Sequence, residues 1–313
     1  MRLAITTTCT RALPVLQSWV AHHRRMGVSH FYVFLDDASE LAAHQALWLA
    51  GVDFIPSDGE LGQQWRQHSA WPLFGQYVNS QYYARQGLNT ALAIDRARAK
   101  GFDWLIHIDL DELMVLAEGL GSLQELLAAH RSQDAVHFHN HEAVPEAWHV
   151  ENYFQEVSLF KKSPFLLTPA QQALAQRSFG DQYFLAYLNG KSALNLRRQG
   201  RAGEGPHSFA NCPAYARAEE AWVLHYTHCG FNWFAEKYQL LARSTSRWLD
   251  VEHDSQLPFM TAARAASASG SIHALTRLYQ QRLIEQGGLP QRLPSLLESG
   301  LLFRSHLPRL KQL

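Results

Sequence analysis

Asp109 and Asp111 stand one residue apart, with Glu112 beside them, directly after the run Trp104-Leu105-Ile106-His107-Ile108. That run has the length and the partly β-branched make-up of a buried strand, and in open α/β sheets ligands gather where strands end at their carboxyl edge. Carboxylates crowded at a strand terminus repel one another by a few kcal/mol unless something positive lies between them. A divalent cation meets that need. Hard oxygen ligands suit Mn²⁺ or Mg²⁺, which keep several waters and take the phosphates of a substrate in their remaining positions. The alternative is that Asp111 and Glu112 open a helix, where acidic residues favour the macrodipole.

The elements that must position this cluster are legible along the first half of the chain. Residues 3–7 read as a first strand, and a helix follows, entered at Thr10 and Pro14, carrying Leu16, Trp19, Val20 and His23 at helical spacing and stopped by Gly27. Residues 31–35 form a second strand that ends at Asp36-Asp37, with Ser39 as cap of a helix over 40–50. Residues 52–55 are a short third strand, 56–71 a loop and 76–100 a long helix with Tyr83, Leu88, Leu92 and Ala93 on its apolar stripe. The aspartate-bearing strand comes next, then a helix over 123–131 capped by Ser122 and a strand over 135–139. Such alternation predicts a mostly parallel sheet covered by helices. In the second half, 164–175 and 197–206 read as loops, 222–225 as a strand and 233–247 as a helix, and the tail from 267 as helical with a basic, leucine-rich end.

Composition sets the bounds. With 313 residues, 47% of them apolar, the chain can bury a large core. Lys plus Arg and Asp plus Glu each number 28, so no global field draws in nucleic acid or an anionic membrane, and any anion site is local. Cys9, Cys212 and Cys229 are odd in number and far apart, which fits a reducing compartment, the cytoplasm by default, and argues against a disulfide framework. Neither a signal peptide nor an apolar run of membrane-spanning length is expected.

Several local patterns occur in one order. Trp19-Val20-Ala21-His22-His23 with Gly27-Val28-Ser29-His30-Phe31-Tyr32, the run Trp104-Leu105-Ile106-His107-Ile108-Asp109-Leu110-Asp111-Glu112-Leu113, Gly190-Lys191-Ser192 with a later His207, and Leu224-His225-Tyr226 followed by Phe234 and Lys237 together resemble the family 2-like and family 92-like glycosyltransferases. The resemblance covers roughly residues 1–240. It implies a GT-A type nucleotide-diphospho-sugar transferase fold, a mixed, mostly parallel sheet flanked by helices, over 1–250, with a helical C-terminal extension over 251–313. It further implies a nucleotide-sugar donor, a hydroxyl acceptor on a glycan or lipid-linked glycan, inversion at the anomeric carbon and a divalent metal. Two departures stand out. Thr6-Thr7-Thr8-Cys9-Thr10-Arg11 replaces the family's Asn-Glu after the first strand, and Asn140-His141-Glu142-Ala143 replaces its Trp and Phe-Gly.

Under that resemblance Asp109 and Asp111 hold the metal, the first turned to ribose and the second to the ion, which assists the departing nucleoside diphosphate. His225 completes the metal shell or meets the phosphate, with His107, His207 and His228 competing and a core histidine bonded to a carbonyl as the alternative. Lys191 reaches a phosphate, or is solvated. Asp36 and Asp37 meet nucleobase and ribose, or bond their own turn, while Thr7 within Thr6 to Thr8 lines the same pocket or packs in the strand. Glu142 is the candidate general base, with Asp181 and Glu204 as rivals. Trp148, Tyr153, Phe231 and Trp233 stack on a sugar or belong to the core. A metal-dependent nucleotidyl or phosphoryl transferase or hydrolase, and a non-catalytic carbohydrate-binding relative, are the competing functions. The C-terminal end leaves peripheral membrane contact open, as a basic amphipathic element.

Overall fold

A computed structural model describes residues 1–203, 205–245, 247–249, 251–252 and 258–305. In chain order the elements begin β1 (Leu3–Cys9), α1 (Leu13–Arg25), β2 (Val28–Leu35), α2 (Leu41–Gln45), β3 (Val52–Pro56), α3 (Gly59–Gln67), α4 (Trp71–Phe74), α5 (Tyr82–Ala99), β4 (Trp104–His107) and β5 (Glu112–Leu116). They continue with α6 (Leu123–Ala129), β6 (Ala135–Phe138), β7 (Asn140–Ala143), α7 (Tyr153–Glu156), β8 (Leu159–Lys161), α8 (Pro169–Phe179), β9 (Lys191–Asn195), β10 (Arg201–Ala202), β11 (Phe209–Ala210), β12 (Tyr215–Arg217) and β13 (Ala221–His225). The last are α9 (Phe231–Leu241), β14 (Arg247–Trp248), β15 (Val251–Glu252), α10 (Pro258–Ala268), α11 (Ile272–Tyr279), α12 (Leu289–Glu298) and β16 (Leu302–Arg304).

Two compact units result, one of 1–138 with 190–223, the other of 139–189 with 224–313. The first contains a seven-stranded sheet in the order β12-β6-β9-β4-β1-β2-β3. β1 pairs in parallel with both β2 and β4, β2 with β3, and β12 with β6, while β9 runs antiparallel between β4 and β6. The chain thus steps outward from β1 through β2 to β3 and returns on the other side of β1 as β4, which makes the carboxyl ends of β1 and β4 the point where the winding reverses. Every residue of β1 is buried, as a strand covered on both faces requires.

Helix α1 carries the first recognisable sequence pattern, and its side chains explain it. Trp19 Nε1 donates to the Glu112 carbonyl at 2.8 Å and His22 Nε2 to the Met114 carbonyl at 2.6 Å. His23 Nδ1 donates to the Trp19 carbonyl at 2.9 Å, which leaves its Nε2 to accept from the Met114 amide at 3.2 Å. Residues spaced i, i+3 and i+4 therefore satisfy the backbone of β5, the strand that begins at Glu112.

Three local expectations are corrected. Residues 59–67 are helical because Asp58 accepts from the Leu61 amide at 2.9 Å and so caps α3. Within 164–175 the second proline starts a helix: Pro169 follows the Thr168 cap, whose capping box with Gln171 opens α8. The long helix begins at Tyr82 rather than 76.

In the second unit β7, β8 and β16 pair antiparallel. One cluster joins Val144, Leu159, Ala175 and Tyr183 to Leu289, Leu296, Leu301 and Leu302. A second joins Phe234 and Tyr238 of α9 to Phe259, Ala263, Leu275, Tyr279 and Leu283. The segment after 251, expected as an extension, is thus core of the same unit as residues 139–189. Its division from the rest does not fall at 250; Asp250 itself and the basic end from 306 lie outside the described residues.

Candidate functional site

Asp109 follows β4 at the reversal point, and its carboxylate is held from two sides. Lys191 Nζ donates to Oδ2 at 2.6 Å and Gln86 Nε2 to Oδ1 at 2.6 Å. Lys191 is fully buried and lies 3.6 Å from Glu112 Oε2, an atom that accepts the Asp109 amide at 2.7 Å. Burial alone drives these charges toward their neutral forms. Against it, Lys191 and His107 bring the Asp109 carboxyl net below its usual range, and Asp109 and Glu112 raise the Lys191 ammonium net above its own. For Glu112 burial prevails over the pull of Lys191, and its carboxyl is raised well above the ordinary value. The positive charge that the carboxylate cluster demands is therefore present within the chain.

The approach of Lys191 depends on the residue before it. Gly190 has φ +59°, and a Cβ there would come 2.1 Å from the Phe138 carbonyl oxygen, so only glycine fits. His207 Nδ1 donates to the Gly190 carbonyl at 2.8 Å and Ser192 Oγ to the His207 carbonyl at 2.7 Å, which ties the Gly-Lys-Ser element to the later histidine. Burial first, and Lys191 second, push His207 well below its ordinary pKa and His107 down to about 3, so both rings are neutral.

Helix α5 supplies the other walls. Tyr82 OH donates to the Thr8 carbonyl at 2.5 Å, Arg85 pairs with Asp36 at 2.5 and 2.7 Å, Gln86 reaches Asp109, and Asn89 Nδ2 donates to Thr8 Oγ1 at 3.1 Å. Positions i, i+3, i+4 and i+7 of one helix thus fasten the ends of β1, β2 and β4. Reading this helix for apolar periodicity alone passes over that polar stripe. Its signal was available, as four hydrogen-bonding side chains on one face of a helix that otherwise buries Leu88, Ala91 and Leu92.

The remaining expected residues divide by unit. In the first, Asp111 is half-buried, and Thr7 is buried with an Oγ1 that has no hydrogen-bond partner among the described residues. Each oxygen of Asp36 accepts from Arg85, and Asp37 caps its own turn, taking the Ser39 amide at 2.9 Å. Those two aspartates, expected at nucleobase and ribose, make these bonds within the protein. Lys191, expected at a phosphate, lies beside the Asp109 and Glu112 carboxylates. In the second unit Glu142 is buried. Its oxygens accept the Leu185 and Ala186 amides at 2.8–3.0 Å and face the buried Lys161 at 3.6 Å. This corrects its reading as a base, since a carboxylate so enclosed has no open face for an acceptor hydroxyl. His225 is buried with its ring 4.5 Å from that of Tyr187, and His228 bonds Tyr238 OH at 3.0 Å. Trp148 stacks on Phe231 at 4.7 Å and Tyr153 meets Trp233 edge-on at 5.2 Å, so these rings pack on one another. Asp181 is exposed, and Glu204 lies outside the described residues.

Among the described residues no three His, Cys, Asp or Glu side chains are placed to hold a metal ion by themselves. The donor set still fits Mn²⁺ or Mg²⁺ bound largely by water and phosphate: Asp111 offers a half-buried carboxylate, and each Asp109 oxygen, after one protein donor, keeps a further lone-pair direction.

No family model matches the chain. It is similar to two curated proteins of Arabidopsis thaliana, each named glycosyltransferase-like. One is 28% identical over 324 residues, covering 98% of this chain and 71% of that protein. The other is 28% identical over 330 residues, covering 98% of this chain and 62% of the relative. Among solved structures, mouse xyloside xylosyltransferase 1 is 13% identical with a TM-score of 0.28, over 63% of this chain and 67% of that one. Core-mannan synthase A of Aspergillus fumigatus, in its Mn/GDP form, is 11% identical with a TM-score of 0.31, over 63% and 60%. At scores this low the likeness carries no weight, and the mixed, mostly parallel sheet flanked by helices stands on its own strand order.

Proposed function

We propose that this chain is a glycosyltransferase of the GT-A type that moves a sugar from a nucleoside diphosphate sugar, UDP-linked in the first instance, to a hydroxyl of a glycan or lipid-linked glycan. The transfer is proposed to invert the anomeric carbon and to serve polysaccharide synthesis on the cytoplasmic side. Support comes from the glycosyltransferase-like relatives and from one observation above all: the Asp109 to Glu112 segment sits at the carboxyl end of β4, beside β1, where the sheet's winding reverses. No helix among the described residues is long and apolar enough to cross a membrane.

Within this reading each residue has a physical task. Asp111 presents a half-buried carboxylate. Gln86 and Lys191 fix the plane of Asp109 before any donor arrives, so that no reorganisation is needed on binding. Arg85 fixes Asp36 in the same way at the end of β2. A bound Mn²⁺ or Mg²⁺ would supply Lewis-acid assistance to the leaving diphosphate.

The test is Asp111→Ala. Transfer from a nucleotide-sugar donor is expected to fall by at least about 10²-fold, in the range of lost electrostatic stabilisation, while the melting temperature of the half-buried site changes little. Undiminished turnover by that variant in a chelating buffer would sink the reading.

A further inference from the structure

Lys191 has a role that the reading of the site above does not assign. A buried ammonium ordinarily survives only where carboxylates surround it, and here it lies 2.6 Å from Asp109 and 3.6 Å from Glu112, with no exposed surface. It therefore occupies the position between the carboxylates where a divalent ion would bind most strongly. The second Asp109 oxygen is held by Gln86 at 2.6 Å, which keeps the carboxylate from swinging toward solvent. Glu112 has an Oε1 that is buried and, among the described residues, without a hydrogen-bond partner, so one oxygen of the cluster is not yet compensated.

We propose that Lys191 is the resident counter-ion of Asp109 and Glu112, and that by holding this position it keeps the free protein from binding a divalent ion tightly, so that the ion enters with a diphosphate and meets the protein through Asp111. The proposal rests on the sugar-nucleotide reading only for the identity of that diphosphate. A second cation a few Å from an ammonium is repelled, and removing the ammonium removes the repulsion while freeing the oxygens it occupied. Lys191 is thus a positioning residue, acting on the ion through the carboxylates.

The experiment is a titration of the full chain with Mn²⁺ alone, free ion being followed by its electron paramagnetic resonance signal. The wild-type chain is expected to bind weakly. Lys191→Met is expected to tighten Mn²⁺ binding by about tenfold or more, because it leaves the Asp109 carboxylate to the ion without a competing positive charge. Lys191→Gln keeps a donor toward Asp109 but removes the charge, and it is expected to tighten binding likewise; it serves as the measurement if the methionine variant does not fold. A gain in affinity is not what structural damage produces. Unchanged or weaker Mn²⁺ binding in the folded variants overturns the proposal, as does tight binding by the wild type. A parallel titration of wild type with UDP and Mn²⁺ separates the two readings: no manganese-dependent UDP binding overturns the sugar-nucleotide reading, while the result with Mn²⁺ alone still decides the role of Lys191.

Discussion

Glu142 and Lys161 illustrate how burial changes what a residue type means. Both are enclosed, with 3% and 1% of their side chains exposed, and Lys161 also sits 5.0 Å from the centre of the Phe179 ring. A carboxylate in this setting is part of the core's polar frame, anchoring the Leu185 and Ala186 amides. Removing one partner leaves the other charge buried and uncompensated, which costs about 3–5 kcal/mol. Lys161→Met is therefore expected to lower the unfolding free energy obtained from urea denaturation by an amount of that order, and the double variant with Glu142→Gln to recover part of the loss. Additive losses would show that the two groups do not interact. Read from sequence, a strand ends at 139, whereas Glu142 lies within a further strand, β7, paired with Lys161 on the neighbouring β8, and nothing local to either residue announces the pairing.

Helix α1 is the element whose chemistry is most compressed into a short pattern. Because His23 must be neutral to donate from Nδ1 while accepting at Nε2, and burial disfavours the charged form of His22, their protonation competes with the fold. Burial drives His22 down to about 4 from its ordinary 6.5, and His23 well below that ordinary value, with the neighbouring imidazole adding to it. The unfolded chain then binds protons that the folded chain refuses. Stability is full above about pH 6.5 and falls as pH drops below it, each histidine contributing up to about 1.4 kcal/mol per pH unit until its folded-state value is passed. Chemical denaturation at pH 7 and pH 5 checks this, and the difference is expected to shrink in His22→Gln. An unchanged pH dependence in that variant would mean that His22 is not among the groups responsible. Helix α5 makes the complementary point: its apolar stripe was legible, whereas its polar face acquires meaning only from the strand ends it meets.

At the scale of the molecule, the segment after 251 is continuous with the core of the second unit. A chain ending at residue 250 loses Phe259, Leu275 and Tyr279 from around Phe234 and Tyr238, and Leu289, Leu296, Leu301 and Leu302 from around Val144 and Leu159. Such a truncation is expected to give no cooperative thermal transition for the second unit and to aggregate through the apolar faces left open. Within the full chain, Leu296→Ala is expected to cost about 2–5 kcal/mol as a buried large-to-small change. A soluble fragment of residues 1–250 with a sharp melt would contradict this architecture. The helices after 258 carry their apolar residues at ordinary amphipathic spacing, which reveals that they have a buried face but not against what they bury it.

The alternation of strands and helices and the carboxylates at the end of the fourth strand could be read directly, because periodicity, caps and glycine stops are properties of neighbours along the chain. The cluster's need for a positive charge was also evident from Coulomb repulsion between adjacent side chains. What answers that need was decided by the tertiary structure. Lys191 lies 82 positions from Asp109 and arrives only because β9 runs antiparallel beside β4 in a register that pairs Ser192 with His107. Partnerships of this kind, like Arg85 with Asp36 and Glu142 with Lys161, are set by crossover connections and strand register, and a single sequence records the residue types while leaving those meetings to the fold.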